Sequence, residues 1–237
     1  MDALLANKVV VVTGGSRGIG RAIVEAALNA GARVAFCSRS SESVHRATEE
    51  LRRRWSNQVA GFPADVSRPN DVTAFFEFVD KEFNGLDVLV NNAGLGTFRS
   101  VADMTVEEWQ RTIDTNLSGA FYCSREALQR FRKRGGGYII NVSSLAGKNA
   151  FAGGAAYNAS KFGMNGFSEA MMLDHRYDNV RVSYVMPGSV ATEFSSGGGE
   201  DWKIAPEDVA EIVLTLLKMP ERTLVSRVEV RPSKPRK

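Results

Sequence analysis

Cysteine is scarce in this chain and histidine scarcer in motifs: there are two of each in 237 residues. Cys37 and Cys123 lie far apart, with neither a Cys-x-x-Cys nor a Cys/His spacing. They read as small buried hydrophobes, so no disulfide and no metal site is implied. Long apolar runs are missing too. Met1 to Lys8 has no apolar core of signal-peptide length, and Val9–Val12 is too short to span a bilayer, so the expectation is a soluble cytoplasmic protein with no membrane partner. Nor does one sign of charge dominate. The net charge is +3 with both signs interspersed, and Arg52-Arg53-Arg54 reads as the solvated face of a helix, which argues against a nucleic-acid partner. No linker composition or internal repeat divides the chain, and its one low-complexity patch is Ser195–Gly199. With 43% hydrophobic residues it can bury a full core, so a single domain spanning residues 1–237 is expected.

What the chain does have is a recurrence of short apolar, β-branched runs: Val9–Val12, Arg33–Phe36, Val59–Phe62, Val88–Val90, Tyr138–Val142, Val182–Val185 and Val228–Val230. Strands apolar on both faces belong to a sheet covered on both sides, hence a parallel one. Helix signals fill the gaps. Thr105-x-x-Glu108 is a capping box, Val72, Phe75, Phe76, Val79 and Phe83 trace a helical stripe, and Pro206 opens a helix that Pro220 ends. The alternation predicts an α/β fold, a doubly wound parallel sheet of about seven strands flanked by helices, of the Rossmann type.

The first run passes directly into Thr13-Gly14-Gly15-Ser16-Arg17-Gly18-Ile19-Gly20, which opens a helix. Glycine lets the backbone approach a pyrophosphate while the helix N-terminus offers N–H donors, so this is a candidate dinucleotide cradle. The next strand ends about 18 residues beyond Gly20, where an NAD site places an acidic residue on the ribose. Ser38-Arg39 stands there instead. A hydroxyl and a guanidinium favour a 2′-phosphate, with Arg17 as a second cation, and NADP(H) is expected over NAD(H). Further along, Tyr157 and Lys161 are spaced i,i+4 in a stretch expected to be helical over 156–176, which sets a phenol beside a cation. Such a cation should lower the phenol's pKa and tune it as a general acid.

Taken in order, Thr13–Gly20, Asp65-Val66, Asn91-Asn92-Ala93-Gly94, Tyr157–Lys161 and Pro187-Gly188 with Thr192 resemble the motifs of a classical short-chain dehydrogenase/reductase across essentially the whole chain. Its core resembles the 3-oxoacyl-thioester reductases and broad carbonyl reductases. The resemblance implies hydride transfer between NADP(H) and a carbonyl or alcohol. It makes Tyr157 the proton donor, Lys161 its partner and ribose ligand, Ser144 the donor to the substrate oxygen, and Asn116 the holder of a relay water. Ser143 competes with Ser144, and the thirteen-residue separation from Tyr157 favours Ser144. Cofactor contacts are expected from Gly14, Ser16, Arg17, Gly18, Ile19, Gly20, Ser38, Arg39, Asp65, Val66, Asn92, Ala93 and Gly94, and from Tyr157, Lys161, Pro187, Gly188, Val190 and Thr192. His45 and His175 fall in no motif and read as surface residues.

Substrate choice is expected to rest on Leu95, Leu145, Ala146, Asn149, Phe151, Val190 and Phe194, with a lid over about 189–205. The lid region is short and the usual glycine-rich ending is replaced by Val228-Glu229-Val230-Arg231-Pro232, which points to small ketones and aldehydes rather than a dedicated 3-oxoacyl thioester. The tail 231–237 reads as loose and without function beyond solubility. A non-catalytic dinucleotide sensor could dispense with Tyr157 and Lys161, and a sugar-nucleotide epimerase would need a longer substrate region. Surplus apolar surface on Asn116–Phe131 and Ala156–Tyr177 suggests a symmetric homo-oligomer, a tetramer ahead of a dimer.

Overall fold

The computed structural model describes residues 3–194 and 201–235. Seven parallel strands form one sheet: β1 (Val9–Thr13), β2 (Arg33–Ser38), β3 (Val59–Pro63), β4 (Val88–Asn91), β5 (Gly137–Val142), β6 (Val180–Pro187) and β7 (Arg227–Val230). Their spatial order is β3-β2-β1-β4-β5-β6-β7. The helices between them are α1 (Gly18–Asn29), α2 (Ser41–Trp55), α3 (Pro69–Phe83), α4 (Val106–Ile113), α5 (Gly119–Arg134), α6 (Ala155–His175) and α7 (Pro206–Lys218).

Alternation along each strand sorts the core into two layers. Val10, Val12, Val34, Phe36, Val88 and Val90 face α1, α2 and α7, whereas Val9, Val11, Ala35, Cys37, Leu89 and Ile139 face α3, α5 and α6. Every one of these is buried, which is why the strands read as unbroken apolar runs. Phe75, Phe76 and Phe131 are fully buried in the second layer; truncating such a ring to alanine costs about 3–5 kcal/mol.

Strand order reverses between β2-β1 and β4-β5, so the crevice for a ligand opens at the carboxyl ends of β1 and β4. The sequence expectation of one helix from Asn116 to Phe131 is corrected: α4 runs through a π-helical turn at Asp114–Ser118 before α5 begins. Such turns insert a residue into the helical ladder and concentrate at functional sites. The expected lid patch Ser195–Gly199 lies outside the described residues. Around it, Val190 bridges Ile204, with Ala191 N–H donating to Ile204 O at 2.9 Å.

Candidate active site

The loops after β1, β4, β5 and β6 meet in one cleft of about 1910 Å³, larger than the few hundred to ~1,000 Å³ of an ordinary small-ligand pocket. It has room for a dinucleotide and a second molecule. At its first end lies the glycine loop. Gly14 has φ +67°, and a Cβ on Gly20 would sit 2.2 Å from Gly14 O, so only glycine closes this turn. Helix α1 starts without a side-chain cap and without an acidic residue in its first turn, leaving N–H donors and a positive dipole end for an anion. The loop is pinned to β4: Thr13 Oγ1 accepts from Asn92 N and Ala93 N at 3.0 Å each, and Asn92 Nδ2 donates to Thr13 O at 2.9 Å.

At the end of β2, Ser38 Oγ is buried with no hydrogen-bond partner. Arg39 is exposed beside it, and the first turns of α2, capped by Ser40 Oγ on Ser43 N, bring Ser43 and Arg46 to the same wall. Glu193 is the single carboxylate lining the cleft among the described residues, and Arg17 holds it at 2.5 Å. Arg17 thus spans from the glycine loop to the segment after β6. Val66 and Ala64 line the cleft, while Asp65 stands behind them, its Oδ1 accepting from Ser67 N and Oγ.

At the other end α6 presents Tyr157 and Lys161 one turn apart. Lys161 is buried, its Nζ donating to Val142 O at 2.8 Å and lying 5.8 Å from the Tyr157 ring centroid. Ser143 and Ser144 take opposite directions: Ser143 Oγ is buried and donates to Asn165 Oδ1 at 2.5 Å, whereas Ser144 lines the cleft, its Oγ donating to Pro187 O at 3.4 Å, accepting from Ala146 N at 3.1 Å and reaching the Tyr157 phenol closely enough to act on its pKa. Asn116, fully buried in the π turn, does not line the cleft. Its Oδ1 accepts from Leu95 N at 2.8 Å, and its Nδ2 donates to Leu95 O and to Ser160 Oγ, tying the β4 loop to α6. Both of its N–H donors are thus used within the protein. His45 and His175 pair with Glu49 and Asp178 on the surface, away from the cleft.

The expected lowering of the Tyr157 pKa by Lys161 is corrected. Burial pushes the phenol upward, and the Ser144 hydrogen bond opposes this only in part. The shift falls on the lysine instead, whose pKa burial lowers from 10.5 to about 8. Because this folded value is depressed, the buried ammonium destabilises the fold below pH 8. The cost fades as pH rises toward 10.5, since folded Lys161 loses its proton before the unfolded chain does. That difference is worth about 3 kcal/mol, less ~1 for the Val142 carbonyl left unpaired on substitution. Lys161→Met is therefore expected to stabilise the protein by about 1–2 kcal/mol at pH 7 and to gain nothing near pH 10. Urea unfolding at both pH values checks this; a stabilisation that grows with pH would contradict it.

The family model for short chain dehydrogenase matches residues 8–201. The chain belongs to the short-chain dehydrogenase family. Like its relatives in that family it is an oxidoreductase. This short-chain dehydrogenase is 36% identical over 194 residues to a 3alpha-hydroxysteroid dehydrogenase of Mediterraneibacter gnavus, covering 81% of this chain and 78% of the relative. It is 32% identical to an uncharacterized oxidoreductase of Staphylococcus saprophyticus, over 96% of this chain and 98% of the other. A metagenomic short-chain oxidoreductase solved with NADP superposes with a TM-score of 0.85 at 35% identity, covering 98% of this chain and all of that one. An alcohol dehydrogenase of the archaeon Thermococcus sibiricus, in complex with 5-hydroxy-NADP, superposes at 0.90 with 29% identity, over 97% and 98% of the two chains.

Three parts of the wall escape sequence reasoning in this short-chain dehydrogenase. Arg46 lies three residues after Ser43 on α2, so helical spacing from the Ser40 cap carries its signal. Phe98 has none. The third is the start of the tail: Arg231, Pro232 and Pro235 line the cleft, and just before them Gly188 N–H donates to Val230 O at 2.8 Å and Lys148 pairs with Glu229.

Proposed function

We propose that this short-chain dehydrogenase interconverts carbonyl compounds and secondary alcohols with NADP(H), chiefly as a reductase. One observation carries the reading: Ser144 and the Tyr157 phenol stand with buried Lys161 at one end of a cleft whose other end offers arginines and an unsatisfied serine. The residues fit NADP(H). Gly14, Ser16, Gly18, Ile19 and Gly20 would hold the pyrophosphate, and Ser38, Arg39, Arg46 and Arg17 the 2′-phosphate. Val66, Asn92, Ala93 and Gly94 would flank the adenine half, with Lys161 on the nicotinamide ribose and Pro187, Gly188, Val190 and Thr192 at the carboxamide.

What NADPH supplies when bound is a hydride for the carbonyl carbon, leaving NADP⁺. Tyr157 gives its phenolic proton to the carbonyl oxygen, and Ser144 donates a hydrogen bond to the same oxygen as charge develops there. Lys161 then favours the phenolate that remains, a role in the reacting state rather than in the resting protein. With the resting phenol raised in pKa, reduction should be insensitive to pH through neutrality and fall only in alkaline solution, while alcohol oxidation should rise with pH. Turnover of a ketone and aldehyde panel with NADPH and with NADH tests the reading; no oxidation of either cofactor by any carbonyl would refute it.

The same reading includes a homo-oligomer, a tetramer ahead of a dimer. Of the apolar residues expected to form the interface, Phe131, Met164 and Met171 belong to the chain's own core. What α6 leaves outside is Phe162 and Leu173, 46% and 57% exposed, with Ala170 also exposed and, at Gly166, open space where a side chain would be. Phe121 of α5 lies alongside, 47% exposed and 6.3 Å from Phe167. A small-residue gap between large exposed rings suits close approach of a second helix. Phe162→Glu is expected to dissociate the assembly without unfolding the subunit; light scattering that gives the wild type a mass near 25.8 kDa would contradict the interface.

A further inference from the structure

Around Tyr157 stand three other rings, each carried by a different loop: Phe98 after β4, Phe151 after β5 and Phe194 after β6. Phe98 joins them. Phe98 lies 5.9 Å from Phe151, 5.7 Å from Tyr157 and 6.4 Å from Phe194, and Phe194 lies 5.7 Å from Tyr157. Their planes are tilted or edge-on, between 48° and 82°, so the cluster shows both ring faces and ring edges to the cleft. Yet it is not a closed core: Phe98, Phe151 and Phe194 remain 50%, 47% and 45% exposed. Two glycines make room for it. A Cβ on Gly96 would come 2.6 Å from Phe98 Cζ and 2.9 Å from Phe194 Cζ, and one on Gly154 would come 2.7 Å from the Phe151 ring.

Half-exposed phenylalanines gathered at a reacting phenol are costly in water unless something apolar covers them. The geometry points to a substrate class: a carbonyl attached to a flat apolar ring system, an aryl or fused-ring ketone, with its ring laid across the exposed sides of Phe98, Phe151 and Phe194 and its oxygen on Tyr157. This rests on the proposed carbonyl reduction for the chemistry, but the cage itself is a binding device. The rings already touch one another at about 6 Å, so a substrate covers them from the open side: a ketone of four carbons covers little of that surface, whereas a planar bicycle covers several rings at once.

The test uses acetylnaphthalene and butanone as matched methyl ketones. In turnover with NADPH, acetylnaphthalene is expected to exceed butanone in kcat/KM by about a hundredfold, chiefly through KM. Phe98→Ala and Phe194→Ala should each cut that ratio by about tenfold. Both side chains are half-exposed, so neither substitution threatens the fold. Calorimetric binding of each ketone to the protein loaded with NADP⁺, where no hydride is available, reads the cage without chemistry. Tight binding of acetylnaphthalene that Phe98→Ala weakens supports the cage even if turnover fails, an outcome that would count only against the reductase reading. Equal affinity for the two ketones, or acetylnaphthalene binding indifferent to both alanine variants, overturns the cage while leaving carbonyl reduction standing.

Discussion

Tyr157→Phe is expected to lower kcat for carbonyl reduction by at least about a thousandfold while leaving cofactor and substrate affinity within a factor of about three. The substitution removes one oxygen and one proton. The ring stays, and with it the contacts to Phe98 and Phe194 at 5.7 Å, so the pocket keeps its shape. Lys161 keeps its own anchor, since its Nζ donates to Val142 O rather than depending on the phenol. Only the proton transfer and the phenol's interaction with Ser144 are lost, and Ser144 keeps its bonds to Pro187 O and Ala146 N. Positioned acid catalysis contributes about 10²–10⁴ in rate, and the loss should appear in kcat with KM nearly unchanged. Steady-state kinetics with far-ultraviolet circular dichroism as a folding control decides the matter. Near wild-type turnover in Tyr157→Phe would mean that water or Ser144 supplies the proton.

The second large effect concerns cofactor choice. Ser38→Asp combined with Arg39→Ala should invert the preference from NADPH to NADH, with the ratio of the two dissociation constants changing about a thousandfold. Arg39 has no salt-bridge partner among the described residues, so none of their carboxylates competes for its charge. Losing one charge-assisted hydrogen bond to the 2′-phosphate costs about 1.5–3 kcal/mol, and a carboxylate facing that phosphate adds repulsion. Arg46→Ala alone should weaken NADPH about tenfold and leave NADH unaffected, because α2 turns that side chain toward the same wall. Fluorescence titration of both cofactors reads each variant; a parallel loss for NADH would show that Arg46 acts through the fold instead.

The strands were legible because a sheet covered on both faces disfavours unpaired polar groups on either: Val9–Val12 is apolar throughout, and in Val182–Val185 the hydroxyls of Ser183 and Tyr184 are hydrogen-bonded, to Val225 O and Glu169. The glycine loop was legible because its backbone geometry admits no side chain, which makes the residue type itself the signal. Contacts between loops distant in sequence were not. Phe151 and Phe194 were expected at the substrate end, but Phe98 comes from a third crossover, and nothing local to it marks a surface shared with them. The Tyr157 pKa failed for a related reason: sequence spacing places a cation near the phenol but cannot weigh it against burial, and burial wins. That Arg231, Pro232 and Pro235 line the cleft was not legible either, because composition says nothing about docking. Their place in the wall follows from Gly188 and Val230 pairing at the sheet edge. The π turn at Asn116 has no pattern of its own, since one inserted residue leaves the apolar periodicity on both sides intact.

The most direct measurement follows a label. NADPH carrying deuterium at the transferable position of nicotinamide C4 is incubated with the wild-type enzyme and acetylnaphthalene, and the product is read by mass spectrometry and proton magnetic resonance. The account predicts a secondary alcohol with one deuterium on the carbinol carbon, and Tyr157→Phe, still saturated with cofactor, forming it at least about a thousandfold more slowly. Alcohol without deuterium, or deuterated alcohol formed as fast by the phenylalanine variant, would contradict it.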